Sequence, residues 1–590
     1  MKPVRPLVYY AVGLYLGCIS FILFSENKFL GAVTAASFLI IIFLTIDRRF
    51  FILICLYFAI GVSANLIYYK AMNLNKVENV RITKINEFSS IAGIHGRKIV
   101  INGDLKNTQE GEQVFIRGKF EPKMDCLKGT IGIFYIDDIK PANKDFMSSI
   151  YDLKRKTYNK FNQYLIKENS ALIMSLCFGS TNYLNEDLKE EFKQLGVIHA
   201  ISVSGFHMAV IYKILEGFLG IEISIAVSLL YVIFTGSQPA TVRAFVMIFI
   251  LKFSKKVYKN YDSLSALSLS AVLIIVIQPF YAVDIGFVLS YLSTLGIILY
   301  YNKIRRALYK LPSKVNESIS LTLSAQTFSM PYAGMTIGSL SFGFLPGNLI
   351  LLPIYTILVI AGNAALIVLK FDIIFKLICK FMELTIIILN GANYLLMQIT
   401  PEVSEVSFID CLAILCLIIS FILVKKGFNK FIYMPIFIFG MLIFQNYSYF
   451  PKVEYVDLKY NDAVIVSYRY EKILICSSKV KNPNDLKKIK FTKCIPELED
   501  TVDINLGRNY AIKAFKLKND KNKSINLEIA ANNSKIILTR NSEGFMDIDL
   551  KKYDIIKVPK KANFIPNKGF SKNYSIKEYR VIFNKIYTLN

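Results

Sequence analysis

The 590-residue chain is poor in charge and in histidine. Charged residues make up 19% of it against 54% hydrophobic, and a water-soluble fold has no room to bury that much apolar side chain. A bilayer must therefore be part of its solvent. The same figures exclude a disordered, collagen-like or small disulfide-stapled protein. His95, His199 and His207 are its three histidines, so nothing after His207 can supply a histidine-rich metal site. A Gly-rich phosphate loop ending in Lys-Ser/Thr is missing, and with it any visible ATPase; His-Glu-x-x-His is missing too, which argues against a zincin-type intramembrane protease. Energy for any transport must come from a partner or a gradient. Six of the nine cysteines lie in apolar runs, and Cys126, Cys476 and Cys494 are too few for a disulfide framework. No metal and no cofactor is expected.

What is present is a train of apolar segments. The first, about 7–24, follows Lys2 and Arg5. It lacks a small-residue cleavage site and leads at once into runs at 29–46 and 51–69, so it reads as a retained span and not a signal peptide. Further runs fall at about 197–216, 221–235, 239–253, 264–279, 284–301, 318–339, 344–369, 381–399, 406–424 and 431–447. The basic clusters at Arg48/Arg49, Lys252–Lys259, Lys303–Lys310 and Lys425–Lys430 all fall inside if 171–179 does not cross. The result is a polytopic α-helical protein of about 13 spans in the cytoplasmic (inner) membrane, N-terminus inside and C-terminus outside. The formal charge of +26 is in part this cytoplasmic-loop bias and does not by itself indicate nucleic acid.

Two polar regions interrupt the train. Residues 72–147 alternate apolar and polar residues between Gly/Asn turns, which predicts a small outer all-β domain, plausibly an OB-like barrel. Residues 148–168 set Lys against Tyr, Phe and Leu at helical spacing and predict an amphipathic surface helix; 171–179 is too short to span and reads as re-entrant or interfacial. Residues 452–590 carry 28 Lys/Arg to 16 Asp/Glu with recurrent strand-like runs, which predicts a folded, basic, outward-facing domain. The expected division is thus 1–71 (N-terminal spans), 72–147 (β domain), 148–447 (membrane domain) and 452–590 (C-terminal domain).

Polar groups inside apolar runs are costly and usually line a cavity. The densest set is Gly196-Val-Ile-His199 followed by Ser204-Gly205-Phe-His207. Small residues packing helices, with the histidines bonded across them, explain it equally well; a metal explains it less well, because eight residues set the rings about 80° apart on one helix. A second set is Gly236, Pro239 and Arg243. Pro239 suits a first helical turn, and Arg243 either snorkels to the interface or faces an aqueous path. A third is Asp284 with Ser290. In the 13-span topology His199, Arg243 and Asp284 share a membrane depth and could line one site; a plain Arg243–Asp284 ion pair is the bland alternative.

In order and spacing these blocks resemble the competence DNA-uptake channel (ComEC) family: its Gly-x-x-His…Ile-Ser-Gly-x-His segment, its Gly…Pro…x-x-Arg-Ala segment and its Phe-x-Leu-Ser…Leu-Gly segment. Gly347-Asn348-Leu349 followed by Pro353 resembles a fourth block. The resemblance implies that residues 170–447 form a competence-type channel, with His199, Ser204, Gly205, His207, Gly236, Pro239, Arg243, Asp284, Ser290 and Asn348 as channel or DNA-path candidates. It also implies a C-terminal α/β metallo-β-lactamase-like domain, from which this chain departs. Asp457 and Asp462 look like a remnant of the family's opening Asp-Val-Gly-Gln-Gly-Asp, whereas Arg540, Asn541, Lys560 and Lys561 stand where metal-ligand positions are often found. The domain is therefore expected to be degenerate and the protein not an enzyme.

The function implied is a membrane channel that takes single-stranded DNA across the cytoplasmic membrane during natural transformation. Its expected partners are single-stranded DNA, the lipid bilayer, a surface DNA receptor, a cytoplasmic ATPase or helicase, and a second copy of the chain as a homo-oligomer. Two other classes fit the composition: a transporter of another anionic solute or polymer with His199 and Asp284 as a proton relay, and a membrane scaffold whose outer domains bind partners.

Overall fold

The computed structural model describes residues 4–70, 76–85, 90–105, 108–201, 203–401, 403–457, 462–478, 491–498, 501–506, 510–516, 525–531, 534–539, 554–558, 577–582 and 585–589. The chain divides into two compact units, Met1–Ala333 with Ser339–Ser404, and Gly334–Gly338 with Glu405–Asn590.

The first unit opens with α1 (Pro6–Glu26), α2 (Lys28–Thr45) and α3 (Arg48–Tyr69). Asn27 ends α1 and caps α2, accepting from the Phe29 N–H at 3.0 Å. Glycines set the fit of α1 on α3: a Cβ on Gly17 would lie 2.3 Å from the Phe58 carbonyl oxygen, and one on Gly61 2.2 Å from that of Leu14. Backbones approach this closely in membrane helices where small residues remove the side-chain spacer.

The predicted β domain is a closed barrel of β1 (Val77–Lys84), β2 (Ser90–Ile94), β3 (Arg97–Asn102), β4 (Gln113–Asp125) and β5 (Thr130–Pro141), in the order β1-β2-β3-β5-β4. The period-2 alternation sends Ile99 and Ile101 inward, where they join Val80, Ile82, Val114, Ile116 and Phe134, and leaves Lys98 outward. β4 is long enough to pair with both β1 and β5, which closes the sheet and removes its edges. The ends of α1 and α3 reach the barrel: Ile22, Tyr68 and Tyr69 share its core. At the far end of α1, Arg5 pairs with Asp262 at 3.1 Å.

Ten helices follow: α4 (Phe146–Tyr164), α5 (Lys167–Phe178), α6 (Glu186–Gln194), α7 (Ile198–Ile201), α8 (Gly205–Phe234), α9 (Pro239–Lys256), α10 (Ser263–Ile277), α11 (Ile285–Ala307), α12 (Ser313–Ile337) and α13 (Phe344–Ile367); α14 (Asp372–Ile399) completes the unit. The expected amphipathic helix is α4, capped by Asp145 at the Ser148 N–H and joined to the barrel by the Arg81–Asp145 pair. The 171–179 run is α5, twelve residues long and buried from Ser170 to Phe178. Its lining of the core explains how so short an apolar helix stays out of water.

One expected boundary is corrected and another holds. The 197–216 run is not one helix: α7 ends at Ile201 and α8 begins after Ser204, so His199 and His207 lie on different helices. The 30-residue α8 is in turn two pieces, broken at Gly220 (φ 74°, ψ 177°). Gly205, at its start, packs on Ala240 and Ala244 of α9, and its end runs into the start of α9 through a short turn. Glu216 and Glu222, flanking the break, pair with Lys252 and Lys256 at the other end of α9. The chain therefore reverses at Gly220, where the left-handed φ favours glycine. This is the separation expected between the 197–216 and 221–235 runs.

The protein is mostly helical, and by length and composition seven helices (α1, α2, α3, α8, α11, α13 and Phe408–Lys425) are long and apolar enough to cross a membrane, α8 when its two pieces are taken together, with shorter apolar stretches at Ser263–Ile277 and Asn429–Ile443. That is compatible with a polytopic membrane protein. Among the other expected crossings, α9 carries Arg243, Lys252, Lys255 and Lys256, and α14 carries Asp372, Lys376, Lys380 and Glu383.

The second unit holds α15 (Phe408–Lys425), capped by Ser407 and Asp410 in a reciprocal box, and α16 (Met434–Asn446). Beyond them two sheets stack. One has six strands in the order Lys493–Ile495, Glu471–Cys476, Asp462–Arg469, Ser448–Asp457, Lys577–Ile582, Lys585–Leu589; the other has five, Thr501–Asn505, Tyr510–Phe515, Asn526–Ala531, Ser534–Thr539, Asp554–Lys557. Val453, Val464 and Ile475 of the first pack with Ile512, Leu527 and Leu538 of the second in one core. The Tyr455 hydroxyl donates across it to the Leu538 carbonyl at 3.3 Å. Among the described residues of this region the regular structure is strand.

Candidate functional site

Several of the candidate residues gather at the starts of α8 and α9. Ser204 is the N-cap of α8: its hydroxyl accepts from the His207 N–H at 3.5 Å, while His207 Nδ1 accepts from the Ser204 N–H at 3.3 Å. This reciprocal pair is a capping box with histidine in the third helical position. It satisfies donors that a helix start would otherwise leave open, and it accounts for burial of the His207 ring. His199, exposed on α7, is held by a hydrogen bond to the backbone of Gly196 and lies within electrostatic range of His207.

Arg243, one turn into α9, comes to the same place. A Cβ on Gly205 would stand 2.6 Å from Arg243 Nη2, so the guanidinium rests directly against the start of α8 in space that only glycine leaves. Its Nε is buried without a hydrogen-bond partner, and Tyr291 of α11 is within electrostatic range. The Tyr291 hydroxyl is 2.9 Å from Ser270 Oγ. Gly236 (φ 89°) and Ser237 (φ 50°) make the left-handed turn that delivers the chain to Gln238, and Pro239 starts α9. Gly236, Pro239, Arg243, Ser204, Gly205 and His207 are thus one neighbourhood.

Asp284 belongs to a different set of contacts. It is the N-cap of α11, accepting from the Phe287 N–H at 2.8 Å, and among the described residues no ion pair joins it to Arg243. The expected alternative of a plain Arg243–Asp284 pair is therefore not what holds these helices. Its cationic neighbour is Lys98 of the barrel. Lys98 Nζ lies 3.9 Å from the centre of the Phe280 ring and 5.8 Å from that of Tyr281, a cation–π arrangement. Burial lowers the Lys98 pKa and Asp284 partly offsets this. The backbone N–H of Lys98 donates to the Tyr68 hydroxyl at 3.1 Å, which itself donates to the Gly129 carbonyl at 2.9 Å. Lys98, Phe280 and Tyr281 escape motif reading; the usable signal is one outward lysine in the alternation of β3.

Ser290 is half-buried on α11, its carbonyl accepting from Thr294 at 2.9 Å. Asn348 is buried on α13 with its Oδ1 unpartnered; beside it a Cβ on Gly347 would lie 2.3 Å from the Leu195 carbonyl oxygen, which brings α13 against the segment leading to His199. In the second unit, Asp457 and Asp462 sit opposite each other where two antiparallel strands end. Arg540, Asn541, Lys560 and Lys561 lie outside the described residues.

The family model described as Competence protein matches residues 176–428, from the end of α5 into the second unit. ComE operon protein 3 of Bacillus subtilis (strain 168) is 23% identical over 231 residues, which is 38% of this chain and 29% of that protein. An uncharacterized protein of Aquifex aeolicus (strain VF5) is 24% identical over 299 residues, 45% of this chain and 69% of that protein. The chain thus spans under a third of the first relative. No solved structure matches. The matched region holds every candidate of the membrane domain from His199 to Asn348, and together with the Bacillus relative it supports a likeness to the ComEC family over that region.

Proposed function

We propose that the protein is a channel in the cytoplasmic membrane through which single-stranded DNA enters during natural transformation. The observation that carries this is the Gly205–Arg243 contact inside the family-matched region: a buried guanidinium whose Nε has no partner, set against a capped helix start at the barrel side. A strand bears one phosphate charge per nucleotide and bases that stack on any aromatic face, so its path needs cations and rings without sequence preference. Arg243 meets phosphates at the mouth, and Tyr291 and Phe287, with ring centres 4.3 Å apart, stand beside it.

The barrel serves as the outer guide. Its order β1-β2-β3-β5-β4 supports an OB-like reading, a fold used widely to hold single strands. Phe115 and Tyr135 are exposed on it, with Arg117 and Lys119 nearby in sequence. Its docking through Lys98 onto Phe280 keeps it over the helix ends that carry Arg243 and Asp284. The proposed membrane count is thirteen, N-terminus inside and both β regions outside, with the division into 1–71, 72–147, 148–447 and 452–590. The C-terminal region is proposed as a degenerate metallo-β-lactamase-like domain that binds strands and does not cut them. A surface receptor delivers DNA, a cytoplasmic ATPase or helicase draws it in, and copies of the chain associate in the membrane.

The test is entry of labelled DNA into a nuclease-protected pool in a competent host. Arg243→Ala abolishes entry while surface-bound DNA and membrane abundance stay normal. A variant that vanishes from the membrane assigns Arg243 a packing role instead, and normal entry removes it from the path.

A further inference from the structure

The turn between β4 and β5, residues 126–129, rests on the ends of α1 and α3. The Tyr69 hydroxyl donates to the Cys126 carbonyl at 3.4 Å and the Tyr68 hydroxyl to the Gly129 carbonyl at 2.9 Å. Cys126 shares a core with both tyrosines and with Ile22 of α1. At the start of the turn the Asp125 carboxylate accepts from the Lys128 N–H at 3.1 Å. Gly129 is left-handed (φ 69°), and a Cβ there would stand 2.7 Å from the Phe280 ring. The backbone of the turn is thus fixed on its inner side. Its outer side is apolar: Leu127 is 71% and Met124 44% exposed, with Lys123 and Lys128 exposed beside them.

A single exposed leucine on a protein surface is ordinary; the level of this one in the membrane is not. Helix α3 is 22 residues long, about 33 Å at 1.5 Å per residue, close to the ~30 Å hydrocarbon core of a bilayer. Tyr68 and Tyr69 therefore end the span at the membrane–water interface, where tyrosines are enriched. The turn bonded to their hydroxyls lies at that level. Leu66 and Ile67 in the last turn of α3, and Phe24 near the same end of α1, are exposed as well. Lipid-facing apolar surface thus reaches up to the turn.

We propose that the β4–β5 turn anchors the barrel in the bilayer surface: Leu127 and Met124 enter the acyl chains next to the headgroups, and the Lys123 and Lys128 ammonium groups meet the lipid phosphates. This rests on the crossing of the membrane by α1 and α3 and not on the channel reading. Lysine suits the position, since its stem lies along apolar surface while its charge stays at the polar level. Lys128 also lies 3.6 Å from the Asp125 carboxylate, an exposed pair of the kind that contributes little and so leaves the ammonium group available to phosphate. The turn is ordered before it meets lipid, because the tyrosine hydroxyls and Asp125 hold its backbone, and a preorganised contact loses little entropy on insertion.

The experiment places the photo-crosslinking residue p-benzoylphenylalanine in the full chain, one position at a time, in membranes of cells grown on radioactive phosphate. After irradiation the protein is purified under denaturing conditions and covalently bound phospholipid is counted per unit of protein. Leu127 and Met124 are the probes. Leu56, exposed in the middle of α3, is the lipid-facing reference. Phe115, exposed on β4 about 30 Å along the strand from the turn at ~3.3 Å per residue, is the reference away from lipid. Labelling at Leu127 and Met124 severalfold above that at Phe115 is expected. Labelling at both no higher than at Phe115, with Leu56 labelled, overturns the anchor and leaves the membrane reading standing. An adduct of Leu127 with another protein in place of lipid also overturns it. Failure of Leu56 to label overturns the crossing of α3, and the anchor with it.

Discussion

Replacing Gly205 by alanine shifts the Arg243 guanidinium without removing its charge. The new Cβ would lie 2.6 Å from Nη2, about 0.8 Å inside the 3.4 Å at which ordinary contact begins; Ala244 Cβ at 3.3 Å has to give only slightly, and the Ala240 carbonyl at 3.7 Å is in ordinary contact. The atom that must yield is therefore the end of a flexible side chain. Helix α8 gains, since alanine at a first helical position is favoured over glycine by up to about 1 kcal/mol, so abundance and thermal stability stay at the parental level. A charge-assisted hydrogen bond to phosphate is worth about 1.5–3 kcal/mol, or about ten- to a hundredfold in a rate. Displacing its donor by a large part of an ångström should thus lower DNA entry about tenfold, short of the loss in Arg243→Ala. The assay is nuclease-protected labelled DNA per unit of membrane protein, with surface-bound DNA as control. Unchanged entry in Gly205→Ala at parental abundance would refute the reasoning, because the position of the guanidinium would then be immaterial.

A cysteine placed at Asp104 should react with a membrane-impermeant thiol reagent from outside, and one placed at Val257 should not; labelling at Val257 in intact cells ends the thirteen-span topology. Asp262 caps α10, and its hydrogen bonds from Ser265, then the Arg5 guanidinium, hold its carboxyl below the usual 3.8 against the opposing effect of burial. Folded-state pKa is the lower one, so this stabilisation is complete above about pH 4 and is lost as pH falls through the depressed value; acid unfolding of the solubilised protein should be less steep there in Asp262→Asn, and identical acid profiles would dismiss the cap. The purified chain should bind single strands with an affinity that drops steeply as salt rises, since neutralised phosphates release counterions, and zinc or manganese should add no cleavage. Chelator-sensitive degradation that survives stringent purification would restore an active metal site to the C-terminal domain.

Local features were legible where local physics decides. Apolar run length sets helix existence, so α1, α2 and α3 fall close to their expected limits, with Asp47 and Arg48 marking the break. Period-2 alternation announced the β domain, and Lys–aromatic spacing announced α4. The Ser204–His207 box is also local, a cap and its partner three residues on. Apolar flanks on both sides suggest one continuous helix, whereas the Ser204–His207 pair caps a new helix start there and satisfies its open N–H groups.

The amino-acid sequence alone determined that this protein lives partly in lipid, that its polar regions fold as strands, and which few polar residues sit among apolar ones. Each of these depends on composition or on neighbours within a turn or two. Only the tertiary structure decided which of those residues meet. Arg243 reaches Gly205 because the chain reverses at Gly220 and returns α8 beside α9. Asp284 lies instead with Lys98, because the barrel, closed by pairing β1 with β4, docks on Phe280. Cys476 and Cys494 share a sheet face because an edge strand adds in parallel. Such contacts join residues tens to almost two hundred positions apart, and their energies come from whole surfaces packing together. No window of sequence contains both partners, so no local rule could have chosen between them.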